Sequence, residues 1–225
     1  MDAVETREPL KPGDTAPDFA LPAITEEAEV RLWALRGDSP VMLGFFRGVY
    51  CPFCRRNIAL LDAAGRKLAE KGITTAAVVT SPVERAKLYF RLRRPAMTLL
   101  ADPAMETHRA YRLPRFEITQ GPTEWPHRLN EADLATVKIN PFEELSKPVP
   151  LAVAGHLLDK KDGFIYAAGD QDEANVTWNQ LGGLFLIGSD GVVRWSFVEN
   201  EIGPDSTTGF VSEADIVAAS ERLSG

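Results

Sequence analysis

The chain has 225 residues, 44% of them hydrophobic, and a formal net charge of −7 at pH 7. This length and apolar content suffice for one large domain, or for one domain with a substantial insertion. The acidic balance argues against a nucleic-acid partner, and no stretch approaches the roughly 20 apolar residues of a membrane span. We therefore expect neither nucleic acid nor a membrane among its partners.

The first half of the chain alternates strand and helix patterns. Three prolines and one glycine punctuate residues 12–22, which predicts extended chain and turns, followed by a short strand at 30–32 and a helical turn at 33–37. The continuous apolar run 41–46 predicts a strand buried on both faces. Apolar residues at helical spacing over 54–71, ending before Gly72, predict a helix, and 73–79 predicts a second buried strand.

The pattern continues with a helix that we expect to be capped by Ser81 and to end near Arg93. A strand at 98–101 and a helix from 102 to 111 follow. Near the other end, apolar runs flank Ser189-Asp190-Gly191, which predicts a β-hairpin, and a final helix is expected over 212–223. Alternating strands and helices predict a largely parallel sheet with helices on its faces.

Residues 114–178, the middle segment, break this pattern. Six prolines interrupt them, and the stretch 169–175 is typical of a loop. Because a long structureless loop is unusual in a compact domain, we interpret the segment as an insertion with short helices near 131–137 and 150–158. It could cover a site or form a dimer contact.

The chain has only two cysteines, Cys51 and Cys54, which follow the apolar strand and open a helix. Unpaired N–H groups and the positive dipole at a helix start favour a thiolate, the nucleophilic form of cysteine. We assign Cys51, expected to be the more exposed, as the nucleophile and Cys54 as the resolving thiol. Two inert cysteines are the simpler alternative, and the scattered histidines argue against a metal site.

Several neighbours of the pair are candidates for stabilising the thiolate or positioning a substrate. Pro52 fits the first turn of the helix, where its missing N–H costs nothing. Arg47 and Arg55 could lower the pKa of Cys51, although Arg55 could equally lie on an exposed face, as we expect for Arg56. Tyr50 could bind a substrate oxygen or pack against the middle segment.

The motifs Pro12-Gly-Asp-Thr-Ala-Pro-Asp-Phe, Cys51-Pro-Phe-Cys54 and the hairpin, in this order, resemble those of the alkyl hydroperoxide reductase and thiol-specific antioxidant group. These proteins are peroxiredoxin-like members of the thioredoxin superfamily. The resemblance implies an α/β, thioredoxin-like fold, with a central mixed sheet flanked by helices and a long insertion before the C-terminal hairpin. It also implies a single domain over 1–225, no cofactor and a homodimer as the default assembly.

Three positions depart from the family pattern. Gly48 stands where peroxiredoxins usually carry Thr or Ser, and Arg47 stands at the proline of the same motif. Gly182 stands where an arginine often precedes the hairpin strand. A cis-proline that thioredoxins place near this point is also missing.

Three functions stay open at this stage. A peroxidase would reduce hydroperoxides through Cys51 and Cys54 and be recycled by a thioredoxin- or glutaredoxin-type reductant. A thiol–disulfide oxidoreductase would exchange with disulfide substrates through the same sulfurs. A non-enzymatic redox sensor would use the pair as a switch. The first residues contain no apolar signal segment, and two cysteines without an export signal predict a cytoplasmic protein in which a close pair is redox-active rather than structural.

Overall fold

The apolar runs of the sequence form the central strands of a five-stranded sheet in the computed structural model, which describes residues 8–140, 142–199 and 211–224. Strands are numbered in chain order, and six of them lie outside the five-stranded sheet, in two-stranded pairs. The strands are β1 Ala20–Pro22, β2 Glu29–Arg31, β3 Val41–Phe46, β4 Thr74–Val79, β5 Thr98–Ala101, β6 Glu117–Thr119, β7 Arg128–Asn130, β8 Lys138–Ile139, β9 Val149–Pro150, β10 Gly183–Ile187 and β11 Val193–Val198.

The central sheet is mixed, as expected from the resemblance. Its strand order is β11-β10-β3-β4-β5, with β3, β4 and β5 parallel and β10 antiparallel to both β3 and β11. All six residues of β3 are buried, because apolar clusters pack on both faces of the sheet. The predicted hairpin is confirmed by the pairing of β10 with β11.

The helices pack on the sheet or belong to the middle segment. They are α1 Leu32–Arg36, α2 Pro52–Ala69, α3 Val83–Phe90, α4 Glu106–Ala110, α5 Glu131–Thr136, α6 Leu151–Asp162, α7 Asp170–Thr177 and α8 Glu213–Ala218. After α2, Gly72 adopts a positive φ of 73° and completes the turn into β4, in agreement with its predicted role. None of the helices in the described ranges has the length and apolarity needed to cross a bilayer.

Three predicted helix boundaries need correction. Pro82, not Ser81, is the N-cap of α3, and the helix ends at Phe90 rather than Arg93. The Ser81 hydroxyl is instead used in contacts with the loop before Cys51 and with α7. Helix α4 starts only at Glu106, because the Asp102 carboxylate accepts the backbone N–H and the hydroxyl of Thr107 and organises a turn first.

The middle segment contains helices where short helices were predicted, but also one that was missed. Helices α5 and α6 lie at the two predicted places. The stretch interpreted as a loop forms α7, so that prediction is wrong. Three acidic residues in the first turn of α7 favour a helix start, and one of them, Asp170, accepts two hydrogen bonds from Arg85 at 2.6 and 2.7 Å. That the segment is an insertion within one domain stays a prediction.

Candidate active site

Cys51 and Cys54 lie at the start of α2, directly after the loop that follows strand β3. Cys51 is the N-cap of the helix and Pro52 occupies its first turn, as predicted. The backbone N–H of Cys54 donates to Cys51 Sγ at 3.3 Å, and both cysteines are free thiols. Their exposed fractions are 5% and 3%, so Cys51 is the more exposed of the two, as predicted, but only by a small margin, and both sulfurs are buried. Residues of the middle segment cover the loop.

The two thiols differ in acidity. Burial raises the pKa of both, but for Cys51 the hydrogen bond from the Cys54 thiol and the charge of Arg47 outweigh it and lower the pKa to about 6. For Cys54, burial and the adjacent Cys51 sulfur both raise the pKa, which lies well above its ordinary value. At neutral pH the pair therefore holds one thiolate, on Cys51, and one thiol, on Cys54.

Arg47 is the charged partner of this thiolate. It is buried and donates to the carbonyl oxygen of Gln180 at 2.6 Å and to Glu199 Oε1 at 2.8 Å. Glu199 follows β11 and was not identified from the sequence, because 152 residues separate it from Arg47. A lone acidic residue after a strand gives no sequence signal of such a pairing.

Gly182 has no room for the arginine that the family often places there. A Cβ atom at this position would lie 2.7 Å from the carbonyl oxygen of Phe45. The backbone N–H of Gly182 instead donates to Glu199 Oε2 at 3.0 Å, so Glu199 joins this turn to Arg47. A guanidinium is thus present beside the thiols, but it comes from the loop after β3.

Gly48 leaves room for a side chain of α7. A Cβ atom there would lie 1.8 Å from Glu173 Oε1 and 2.5 Å from Ser81 Oγ. The Glu173 carboxylate accepts hydrogen bonds from the hydroxyls of Thr80 and Ser81, and Ser81 Oγ accepts the N–H of Val49 at 2.9 Å. Burial raises the pKa of Glu173. The space of the usual threonine is therefore taken by a glutamate of the middle segment.

Tyr50 also contacts the middle segment. Its hydroxyl lies 2.6 Å from Thr177 Oγ1, and the Thr177 hydroxyl donates to the carbonyl oxygen of Glu173 at 2.9 Å. Because the proton of Thr177 is used in that bond, the Tyr50 hydroxyl is the donor between the two. Burial raises its pKa, so it keeps this proton. The geometry favours the alternative in which Tyr50 packs against the middle segment.

Arg55 and Arg56 are not on an exposed face, contrary to the alternative considered for the first and the expectation for the second. Arg55 donates to the carbonyl oxygens of Val49 and Tyr50 at 2.9 and 3.2 Å. The Arg55 guanidinium also pairs with two α6 carboxylates, at 2.7 and 2.6 Å. Arg56 pairs with Glu144 at 2.7 Å. Arg55 thus ties the loop before Cys51 to α6.

A pocket of about 510 Å³ opens beside Cys51 and is bounded mainly by the middle segment; we call it the middle-segment pocket. Its wall combines residues of the cysteine loop with aromatic and aliphatic side chains from 116 to 178. The lining consists of Arg47, Tyr50, Cys51, Pro52, Phe53, Phe116, Trp125, Leu129, Leu134, Val137, Ile139, Leu151, Ala152, Gly155, His156, Asp159, Tyr166, Gln171, Ala174, Trp178, Leu181 and Glu199.

The histidines do not assemble into a metal centre. Within the described ranges, no three His, Cys, Asp or Glu side chains come together as possible metal ligands. His108 is buried against the ring of Phe45, and burial lowers its pKa to about 4, so it is neutral at neutral pH. His156 lines the middle-segment pocket, while His127 lies in the turn before β7.

Two solved structures show the same fold over most of the chain. The peroxidoxin BcpB of Mycobacterium tuberculosis matches with a TM-score of 0.57 and 18% identity, covering 95% of this chain and 98% of its own. The reduced 2-Cys peroxiredoxin of Plasmodium vivax matches with a TM-score of 0.54 and 15% identity, over 94% and 81%. The chain therefore belongs to the fold class of these two proteins.

The sequence comparisons narrow this class to a family. The model of the AhpC/TSA family matches residues 12–131, just over half of the chain, and the chain belongs to this family. Two proteins from two strains of Mycobacterium tuberculosis, provisionally named peroxiredoxins, are each 31% identical to it over 93 residues. The match covers 41% of this chain and 60% of the length of each of these relatives. Most of the middle segment lies outside the family match.

Proposed function

We propose that the protein is a thiol peroxidase in which Cys51 is the nucleophile and Cys54 the resolving thiol. The Cys51 thiolate attacks the terminal oxygen of a hydroperoxide; an S–O bond forms, the O–O bond breaks, and the departing alkoxide takes a proton from solvent. The sulfenic acid on Cys51 then condenses with the Cys54 thiol, giving the disulfide and water. A reduced dithiol of the thioredoxin or glutaredoxin type returns both sulfurs to thiols by exchange.

The observation that carries this proposal is the asymmetry of the pair. Cys51 Sγ accepts the Cys54 N–H at the start of α2 and lies in the electrostatic field of Arg47. Burial raises the pKa of Cys51, but hydrogen bonding from Cys54 and the charge of Arg47 together outweigh it and lower the pKa. Cys54, with a raised pKa, keeps the proton that it must release as water forms. Arg47 takes the place of the arginine that is missing at Gly182.

A thiol–disulfide oxidoreductase is the second candidate, favoured by the Cys-x-x-Cys spacing and by the absence of a hydroxyl at Gly48. The middle-segment pocket supports the peroxidase instead, because it gives a hydroperoxide access to Cys51 although both sulfurs are otherwise buried. A non-enzymatic redox sensor would need neither a fast reaction with peroxide nor fast exchange with a disulfide. For either enzyme we propose a cytoplasmic, reducing setting, since both thiols must be regenerated. The homodimer stays an expectation from the resemblance.

Stopped-flow oxidation of the fully reduced protein separates these candidates. We expect the rate with hydrogen peroxide to rise with pH through about 6, as the Cys51 thiol ionises, and then to level off. Cys51→Ser should abolish the reaction, whereas Cys54→Ser should form the sulfenic acid, trapped by dimedone, without a disulfide. Slow oxidation by peroxide with fast exchange against oxidised thioredoxin would make the protein a disulfide oxidoreductase. Slow reaction with both would favour the sensor.

A further inference from the structure

We propose that His156 is a catalytic residue of the peroxidase reaction, the general acid that protonates the oxygen leaving when the O–O bond breaks. The proposal rests on the proposed peroxidase function and adds a proton donor to it. The thiol pair does not supply this proton, because Cys51 attacks as the thiolate and Cys54 keeps its proton until the disulfide forms. An acid beside the leaving oxygen lowers the barrier, because an unprotonated alkoxide or hydroxide is a strong base and leaves slowly.

Helix α6 turns one face towards the middle-segment pocket. Gly155, His156 and Asp159 are spaced so that they share this face, and all three line the pocket. The face lies close to the start of α2, because a Cβ atom at Gly155 would lie 3.7 Å from Pro52 Cγ. Pro52 directly follows Cys51, which lines the same pocket. The fold therefore brings His156 and the nucleophile to one cavity, although they are far apart in sequence.

The imidazole of His156 is available for proton transfer. Among the residues that the structure describes, none forms a hydrogen bond or an ion pair with it, whereas its neighbour Asp159 pairs with Arg55 at 2.7 Å and accepts the Tyr166 hydroxyl at 3.1 Å. Imidazole is the side chain whose charge changes nearest to neutral pH, so it can carry a proton at a pH at which Cys51 is ionised. Because His156 is exposed, it can regain that proton from solvent.

The charges around the pocket are compatible with a protonated His156. Besides His156, the titratable and charged groups of the lining come from the cysteine loop, from α6 and the turn after it, and from the end of β11; they are Arg47, Tyr50, Cys51, Asp159, Tyr166 and Glu199. Arg47, the one Lys or Arg of the described lining, is paired with Glu199 at 2.8 Å. Lys160 lies one turn from His156 on α6 but outside the lining. The Cys51 thiolate and Asp159 thus offset an imidazolium in the pocket.

The step balances with these groups alone. The Cys51 thiolate attacks the terminal oxygen of the hydroperoxide, the S–O bond forms and the O–O bond breaks. The oxygen that leaves takes the proton of the His156 imidazolium, directly or through one water, and departs as an alcohol, or as water when the oxidant is hydrogen peroxide. The products are the sulfenic acid of Cys51, the alcohol or water, and a neutral imidazole that is protonated again from solvent. His156 thus takes the place of solvent as the proton donor in this step.

The test compares a leaving group that needs a proton with one that does not. The rate constant for oxidation of Cys51 is measured by stopped flow, slightly below neutral pH, with hydrogen peroxide and with peracetic acid. Hydroxide leaves from the first oxidant, whereas the second releases acetate, which is stable without a proton. His156→Gln should lower the rate constant with hydrogen peroxide by at least about tenfold and change that with peracetic acid by less than about twofold. His127→Gln, the same substitution at a histidine outside the lining, should change neither.

The pH dependence with hydrogen peroxide gives a second readout. A rise through about pH 6 followed by a plateau is the profile of the Cys51 thiolate alone. With His156 as the acid, the rate of the wild type should pass through a maximum and fall at higher pH as the imidazolium is lost, and His156→Gln should show only the rise and the plateau.

The outcomes separate this proposal from the peroxidase function on which it rests. Equal losses with both oxidants in His156→Gln would indicate a structural disturbance, and either that result, an unchanged rate with hydrogen peroxide or identical pH profiles would overturn the role of His156 and leave the peroxidase. If neither oxidant formed a Cys51 sulfenic acid that dimedone traps in Cys54→Ser, the peroxidase function itself would be refuted, and the role of His156 with it.

Discussion

The central sheet and the middle segment are attached to the cysteine loop by different kinds of interaction. On the side of the sheet, β3 runs into the loop as a buried apolar strand, and α2 packs on the sheet through apolar side chains such as Ile58 and Leu61. On the side of the middle segment, apolar residues such as Leu158 join the same core, but polar contacts are added to them: Arg55 with α6, and Glu173 and Thr177 with the loop itself. The apolar side sets the position of the thiols, and the polar side covers them.

This difference affects stability, because substitutions in apolar contacts and in buried ion pairs lower the free energy of unfolding by different mechanisms. Apolar packing loses free energy in proportion to the volume removed, whereas a buried charge left without its partner is destabilising by several kcal/mol. Single substitutions of the charged residues should therefore reveal how firmly each region is held.

The largest effect is expected for Arg47→Met. The change leaves Glu199 buried without its guanidinium partner, and breaking a buried pair in this way costs about 3–5 kcal/mol. It also removes the charge that lowers the pKa of Cys51, so the pH at which the thiolate forms should rise. Chemical denaturation and ultraviolet titration of the thiolate measure the two effects.

The double variant Arg47→Met, Glu199→Gln is the control for this prediction. Removing both charges should restore much of the stability, because no buried charge is left unpaired. It should not restore the low pKa of Cys51. Equal pKa values in the wild type and in Arg47→Met would contradict the role of Arg47.

The second effect, of about 3 kcal/mol, is expected for Arg55→Met, which separates α6 from the loop. The guanidinium is buried, but its partners Asp159 and Asp162 are partly exposed and can regain water, which keeps the cost at the lower end for buried pairs. Arg66→Ala, an exposed arginine of the same helix paired with Asp62, should cost less than about 1 kcal/mol. Similar losses for both variants, measured by denaturation, would contradict a special role of Arg55.

The same division explains what could be predicted from the sequence. Continuous apolar runs and helical spacing identified β3, β4 and α2, because such patterns follow directly from burial on a sheet. The hairpin followed from its turn residues. The ordered motifs then indicated the family and the cysteine pair. Even the missing arginine at Gly182 and the missing hydroxyl at Gly48 were visible as departures.

The partners of the polar contacts could not be predicted, since they are distant in sequence and depend on the folded geometry. Nothing in the surroundings of Glu199 indicates Arg47, and nothing near Gly48 indicates Glu173. Helix α7 was missed for a related reason. It is short and lacks an apolar face with clear periodicity, and it is held by Asp170 and Arg85, which are 85 residues apart.

A smaller effect is expected for Gly48→Thr, which introduces the residue that the family usually carries. The new side chain would displace Glu173 and strain the packing of α7, at a cost of about 1–3 kcal/mol. We therefore expect lower stability and no gain in peroxidase rate. The loss should be smaller when Glu173→Ala is already present, because one obstructing side chain is then gone. Gly121→Ala, where the nearest atom lies at 3.4 Å, is a control for replacing a glycine.

The smallest effect is expected from the ionisation of Glu173. Burial raises its pKa in the folded protein above the ordinary value near 4.5, so between these two pKa values the folded state binds more protons than the unfolded state. The free energy of unfolding should therefore be highest below the unfolded pKa and fall as the pH rises through the folded one. Glu173→Gln, which stays neutral, should lack this fall while keeping an acceptor for Thr80 or Ser81. Denaturation curves of both proteins over the acidic pH range measure the difference. Parallel dependence of the free energy of unfolding on pH in the two proteins would show that burial does not raise the pKa of Glu173.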